Sequence, residues 1–264
     1  MARTVPALEM QAVTRRFPAR ERGALPFTAI ERLSFHVAPG EFVALVGPSG
    51  CGKSTVLNLV SGLDRPSEGQ VFLSGEEVTG PSSHVGFMLQ KDLLLPWRSI
   101  RRNVEFGLEA RGLSAAERAA RIERELRRCR LTDYAERYPH QLSGGQRQRA
   151  ALARTLAIEP SLVLLDEPFS ALDAQTKILL QRSFAQTISA SGVTTLLITH
   201  DLNEAVAMAD RILVMSERPG RIVEEIAVGL PDRDNPIARQ SMPRAQELVR
   251  HLLHALHLDE AVDA

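Results

Sequence analysis

A chain of 264 residues, 44% of them hydrophobic, is long enough for one large domain or two modest ones and has ample material for a buried core. Its 32 basic and 32 acidic residues cancel, which excludes a global field favouring nucleic acid or anionic lipid, so recognition has to be local. The longest apolar runs, such as 42–46 and 162–165, are far shorter than the roughly 20 residues needed to cross a bilayer.

In chain order, Met1 to Gln11 shows no basic segment followed by a long apolar run, so a protein that stays in the cytoplasm is expected. Alternation over Leu8 to Val13 predicts a strand, and Ile30 to Val37 and Glu41 to Val46, separated by Pro39-Gly40, predict two more. The strand ending at Val46 runs into a Gly-rich turn. Val56, Leu57 and Val60 then recur at helical spacing and predict a helix over 53–61. A short strand follows at 85–89. Ile122, Leu126 and Cys129 mark an amphipathic helix over 113–130, with Ser114 as N-cap and Glu117 completing a capping box.

Further helices are predicted over 145–158, stopped by Pro160, and over 174–190, stopped by Gly192. The apolar runs 162–166 and 194–199 read as buried parallel strands. Two short strands over 211–216 and 221–228 precede a Pro-bearing linker over 231–243 and a terminal amphipathic helix. That helix carries His251, His254 and His257 three apart. No carboxylate or cysteine partner is evident for them, so an exposed face is favoured over a metal stripe. The two cysteines, Cys51 and Cys129, lack metal-ligand spacing and suit a reducing compartment. Cys51 reads as a small space-filling residue, with a redox switch as the alternative.

The chemistry concentrates in three strings. Gly47-Pro48-Ser49-Gly50-Cys51-Gly52-Lys53-Ser54-Thr55 contains G-x-x-x-x-G-K-[ST], whose glycines let successive N–H groups curl round phosphate oxygens. Lys53 supplies a mobile ammonium to the outer phosphates, and Ser54 a hydroxyl to Mg²⁺. Chance would place this pattern in roughly one chain in a hundred. Leu162 to Asp166 is an apolar strand ending in a carboxylate. Asp166 is expected to hold Mg²⁺, and Glu167 to act as general base toward a water attacking the γ-phosphoryl group. A buried structural acid pair is the alternative. The third string, Leu142-Ser143-Gly144-Gly145-Gln146, opens a helix with a serine and two glycines, a second anion-receiving helix start in a chain that already has a phosphate loop. That second start calls for another subunit's ATP.

On these motifs and their order the chain resembles the ABC ATPase family from about Leu8 to Val228. The resemblance implies an α/β P-loop NTPase core with a mostly parallel sheet, an antiparallel β subdomain on the N-terminal side, and a helical subdomain at about 91–158 carrying the signature motif. It implies an ATPase domain over 5–230, with 231–264 a linker and amphipathic helix showing no family likeness. It further implies a head-to-tail homodimer holding each ATP between one copy's loop 47–55 and the other's 143–146. Gln90 is similar to the family's glutamine that senses Mg²⁺ and the attacking water, and His200 to its switch histidine at the γ-phosphate. Ser170 to Asp173 resembles the loop through which two active sites communicate. Phe17 is similar to the aromatic that stacks on adenine, with Phe27 as the competitor.

Separate permease subunits and a periplasmic or extracellular solute-binding protein are implied as partners, and no nucleic acid. They place this subunit peripherally on the cytoplasmic side of the inner or plasma membrane. Leu93-Leu94-Leu95-Pro96-Trp97 is the candidate permease contact, packing under the helical insert being the alternative. The wording of these motifs, with Pro219-Gly220-Arg221, resembles the nitrate, sulfonate and taurine importer group. Taurine or another aliphatic sulfonate is the first-choice cargo, ahead of nitrate, bicarbonate or cyanate, and pyrimidine precursors. A lipid or drug exporter and a soluble ABC ATPase acting on DNA or ribosomes are the other classes. A single motif set and the absence of a long coiled-coil insert speak against the soluble class.

Overall fold

A computed structural model describes residues 5–18 and 26–256. The chain forms two compact units, one made of residues up to Ser82 together with those from Thr194, the other of Ser83–Val193.

In the first unit, β1 (Leu8–Phe17) pairs antiparallel with β2 (Phe27–Val37). Both strands run beyond their alternating cores, because the ladder continues across bulges to a Phe17–Phe27 pairing at its far end. Strand β3 (Phe42–Val46) is buried at all five positions and feeds the loop 47–52 and helix α1 (Lys53–Val60). Strand β4 (Glu68–Leu73) lies on the other side of β1, followed by the short β5 (Glu76–Glu77), giving the antiparallel order β2-β1-β4-β5. In β4 only Val71 and Leu73 are buried, too little alternation to mark a strand in the sequence.

The second unit contains a parallel pair, β6 (Val85–Met88) with β7 (Leu162–Asp166). Around it lie α2 (Ile100–Glu105), α3 (Ala115–Arg128), α4 (Gly144–Ala157) and α5 (Ala174–Ser191). Helix α3 starts at Ser114 with the expected capping box to Glu117, and α5 ends at Gly192 in the left-handed region. Ala150, Ala151, Ala153 and Ala157 of α4 are buried, and such small side chains let it contact α2, α3, α5 and β6 closely. Phe169 and Phe184 meet edge to face at 5.0 Å in this core. Helix α2 carries too short an apolar pattern to be legible beforehand.

The chain then returns to the first unit. Strand β8 (Thr194–Ile198) and β9 (Arg211–Met215) flank β3, both parallel to it, and β10 (Ile222–Ala227) closes antiparallel on β9. Helix α6 (Leu202–Met208) lies between β8 and β9 in the chain. The expected linker over 231–243 contains a helical turn, α7 (Pro236–Gln240), before α8 (Pro243–Ala255). Arg239 is the reason: it is 2% exposed and donates to the carbonyls of Pro231, Ala207, Ala209 and Leu230, fastening α7 to the end of α6. Among the described residues no helix is long and apolar enough to cross a membrane.

Candidate functional site

The first unit supplies the phosphate-loop half. Gly52, the N-cap of α1, has φ 108°, and a Cβ there would meet Ile30 Cγ2 at 2.7 Å, so glycine is demanded both by conformation and by space. Helix α1 has no side-chain cap and no acid in its first turn, which leaves its N-terminal N–H groups and dipole suited to an anion. Lys53 is buried, and its Nζ donates to Gly47 O at 2.7 Å and Pro48 O at 2.9 Å, lying along the inside of the loop. Cys51 Sγ is 3.8 Å from that ammonium and 1% exposed, in keeping with the space-filling expectation. Ser54 presents an exposed hydroxyl. A buried lysine, a cap-free helix start and a neighbouring hydroxyl fit a magnesium-bound nucleoside triphosphate.

His200 follows β8 and is exposed. Buried Thr199 accepts from Asp201 N at 3.0 Å, and Asp201 caps α6 through Glu204 N at 3.1 Å, so the residues on either side of His200 are both anchored. Phe17 and Phe27, the two adenine candidates, are brought together rather than separated. Their rings stack at 5.2 Å and 19°, with Arg15 over Phe17 at 4.6 Å and Arg218 over Phe27 at 5.1 Å. Their connecting residues 19–25 lie outside the described residues, as does His257. His251 is exposed and pairs with Glu224 at 2.7 Å, and no group of three metal-binding side chains occurs among the described residues.

The second unit supplies the acidic and signature half. Asp166 ends β7 and Glu167 follows it, both half-buried. Glu167 has φ 46°, a left-handed conformation costing about 1–2 kcal/mol for a side-chain-bearing residue. Ser170 Oγ donates to Glu167 O at 2.9 Å and accepts from Gln90 Nε2 at 3.0 Å. Gln148 of α4 donates to Gln90 O at 3.1 Å. Gln90 and the Glu167 turn are thereby joined through one hydroxyl and tied to the signature helix. Arg154, also on α4, donates to the carbonyls of Leu93 at 2.7 Å and Asp92 at 2.6 Å, and burial lowers its pKa. Gln148 and Arg154 escaped the sequence reading, since a polar residue on a helix carries no mark of a long-range carbonyl partner.

Ser143 is the N-cap of α4, and with Gln146 it forms a reciprocal capping box: Gln146 N to Ser143 Oγ at 3.3 Å and Ser143 N to Gln146 Oε1 at 2.8 Å. The hydroxyl acts there as acceptor and keeps its own proton to donate. Beside Ser143, Gly145 and Gln146 opens a cavity of about 520 Å³, whose lining includes Arg130, Arg149 and Arg182 and no carboxylate. Gly144 is half-buried next to it. Asp173 caps α5 by accepting from Thr176 N at 3.0 Å, and that backbone N–H holds its carboxyl below the usual range.

The expected permease contact needs correction. Leu93 is 54% and Trp97 72% exposed, but Leu94 is buried at 7% and Leu95 half-buried. Fully buried Asn103 clamps the segment from within, accepting from Leu95 N at 2.7 Å and donating to the carbonyls of Leu95, Arg98 and Ser99. That amide satisfies both directions of backbone polarity in the loop after Leu94, whose own N–H donates to Asp92 Oδ1 at 3.1 Å. The outward apolar residues of the neighbourhood are Leu89, Leu93, Trp97 and Phe106.

Residues 30–170 match the ABC transporter family. The chain is 42% identical over 230 residues to the nitrate import ATP-binding protein NrtD of Synechocystis sp., covering 87% of this chain and 85% of that protein. It is 43% identical over 205 residues to the taurine import ATP-binding protein TauB of Yersinia pestis bv. Antiqua, covering 78% and 80%. It is 40% identical over 253 residues to the aliphatic sulfonates import ATP-binding protein SsuB 1 of Xanthomonas axonopodis pv. citri, covering 95% and 98%. A match that long takes in most of the region after Pro231, so the likeness does not stop at Val228 as expected. Among solved structures, the dimeric ATP-binding cassette MJ0796 bound to ADP and Pi superposes with a TM-score of 0.70 at 32% identity, over 84% of this chain and 98% of that one.

Proposed function

The chain belongs to the ABC transporter ATPase family, and from that premise we propose that it is the ATP-hydrolysing subunit of an importer for a small anionic solute. It works as a homodimer beneath separate permease subunits, on the cytoplasmic side of the membrane. The observation that carries this reading is a pair of helix starts in a chain with one phosphate loop, the cap-free α1 after Gly52 and α4 after Ser143, which opens beside a carboxylate-free cavity lined by three arginines. A second copy gives the second start its ligand.

In this reading loop 47–55 wraps the phosphates, Lys53 neutralises their outer oxygens and Phe17, with Phe27 beside it, receives the base. Ser54, Asp166 and Gln90 hold Mg²⁺, which supplies charge neutralisation at the γ-phosphate when bound. Glu167 accepts the proton of the attacking water, and His200 donates to the γ-phosphate. Gly144 and Gly145 present N–H groups and Ser143 its hydroxyl proton to the partner copy's nucleotide, Gln146 closes the capping box that fixes this helix start, and the carboxylate-free, arginine-lined cavity beside them supports an anion there. Asp173 belongs to the loop through which the two sites communicate. Exposed Leu93 and Trp97 form the apolar contact for a permease segment. Because Arg154 and Gln148 of α4 grip residues 90–93, a push on that contact reaches the signature helix directly.

Taurine or another aliphatic sulfonate is the proposed cargo, ahead of nitrate or bicarbonate, delivered by a solute-binding protein. Two measurements test the proposal. Glu167→Gln is expected to lose about 100-fold or more in turnover while accumulating an ATP-bound dimer by size exclusion with light scattering. Ser143→Arg is expected to lose hydrolysis yet keep nucleotide binding. Normal turnover of Glu167→Gln would overturn the base assignment. For cargo, a strain lacking this gene should fail to grow on taurine or alkanesulfonates as sole sulfur source and should grow on sulfate. Unimpaired growth on sulfonates with a defect on nitrate would move the assignment to nitrate.

A further inference from the structure

Arg218 lies in the loop between β9 and β10, a segment that no part of the proposed mechanism uses. Its neighbour Gly220 is locked against β2: Gly220 N donates to Ala29 O at 2.9 Å, and Glu31 N donates to Gly220 O at 3.0 Å. A Cβ at Gly220 would lie 2.2 Å from Cys51 O, so this loop runs in direct contact with the phosphate loop. From that fixed base the Arg218 guanidinium does two things. Its Nε and Nη2 donate to Gly50 O at 3.2 and 2.9 Å, and its carbon sits 5.1 Å from the Phe27 ring centroid.

A trans peptide points its C=O and the next N–H in opposite directions. Drawing the Gly50 carbonyl toward Arg218 therefore sets the Gly50–Cys51 peptide plane, with the Cys51 N–H directed to the other side, where it reaches Pro48 O at 3.4 Å. Gly50, at φ 78°, has no Cβ to lock this plane, and the loop's own bond on it, Cys51 N to Pro48 O, is long at 3.4 Å, so the shorter pair from Arg218 is its firmer anchor. A flipped plane would turn the Gly50 carbonyl away from Arg218 and break the Cys51 N–H bond to Pro48 O, opening the turn that shapes the phosphate loop. The same guanidinium lies over Phe27, which stacks on Phe17, so one side chain registers the aromatic pair against the phosphate loop.

The geometry points to Arg218 as a positioning residue for nucleotide binding, one that anchors the Gly50–Cys51 peptide and with it the turn of the phosphate loop, and couples that turn to the aromatic pair. This rests on reading residues 47–55 as the phosphate loop. The test compares Arg218→Ala, Arg218→Lys and Arg221→Ala in the full chain. Arg221 is the control because it belongs to the same loop and pairs with Glu31, without touching Gly50 or Phe27 among the contacts seen here. Binding of MgADP and of inorganic tripolyphosphate is measured by calorimetry, and ATP turnover by phosphate release.

Arg218→Ala is expected to raise the Kd for MgADP and the KM for ATP about tenfold, equivalent to about 1.4 kcal/mol, with kcat within about twofold. Tripolyphosphate, which has no base, should weaken by a smaller factor of about three, the share carried by Gly50. Arg218→Lys keeps the charge but not the fork, and should fall between Arg218→Ala and the unaltered chain. Arg221→Ala should stay within about twofold. Unchanged Kd and KM in Arg218→Ala would overturn the proposal, as would an equal loss in Arg221→Ala, which would show that loop rigidity alone matters. If Arg218→Ala does not fold, Arg218→Lys decides by the same comparison. Failure of the unaltered chain to bind MgADP would instead sink the phosphate-loop reading.

Discussion

Replacing Arg239 by methionine should loosen the C-terminal region and, through α6, the segment that carries His200. Arg239 is almost completely buried, and it offers its guanidinium to four main-chain carbonyls, at 2.8 Å for Pro231, 2.9 Å for Ala209, 3.3 Å for Ala207, and closely for Leu230. Hydrogen bonds to a charged group contribute about 1.5–3 kcal/mol each, so the gross gain is large. Burying a guanidinium costs several kcal/mol in return, a cost visible in its lowered pKa, which burial drives down against the opposing charge of Asp210. Methionine keeps the stem's packing and leaves the carbonyls of Ala207 and Ala209, at the end of α6, without their donor. The net loss expected from removing one side of such a buried arrangement is about 3–5 kcal/mol. Lysine, with three donors and no planar fork, should lose about half of that.

The effect should be local to the first unit, so the assay is native-state hydrogen exchange of the α6 and α8 amides, supported by circular dichroism melting. Protection of α8 should fall by two to three orders of magnitude, at about 1.4 kcal/mol per factor of ten. Helix α6 begins two residues after His200 and ends at these carbonyls, so kcat should also fall severalfold with little change in KM. Stability and α8 protection within about 0.5 kcal/mol of the parent would refute the reasoning.

Ser170→Ala removes the hydroxyl joining Gln90 to the Glu167 turn. One hydrogen bond at about 1 kcal/mol predicts roughly a fivefold lower kcat with KM unchanged, and steady-state kinetics showing an unaltered kcat would dismiss the link. Glu41 offers a pH test. Burial pushes its pKa up, but the Arg211 fork at 2.8 and 3.1 Å and the Ala38 N–H outweigh burial and hold it below the ordinary value. A depressed carboxylate contributes stability that is fully present above the unfolded pKa of about 4.3 and is lost as pH falls through the folded pKa. The gap in unfolding free energy between the parent and Glu41→Gln, about 1.5 kcal/mol at pH 7, should therefore shrink between pH 5 and pH 3. A gap constant down to pH 3 would contradict it.

The motifs that the sequence by itself determined are those whose geometry is closed within a few residues. The Ser114–Glu117 box and the Gly192 stop depend on bonds three or four positions apart, where the covalent chain limits the options. Runs buried on both faces, such as Phe42–Val46 and Leu162–Leu165, were legible for the same reason, since their period is their packing. Tertiary structure alone decided which residues meet across long separations. Arg218 reaches Gly50 from 168 positions away, Gln90 reaches Ser170 from 80, and Arg239 reaches Ala207 from 32. Nothing periodic in the sequence records such a pairing, because an arginine fork serves any carbonyl that the fold brings within hydrogen-bonding reach of it. The same holds for Leu93 and Leu94, identical neighbours of which one is exposed and the other buried: Leu93 turns at φ 44° with its carbonyl held by Arg154, and Leu94 N donates to Asp92.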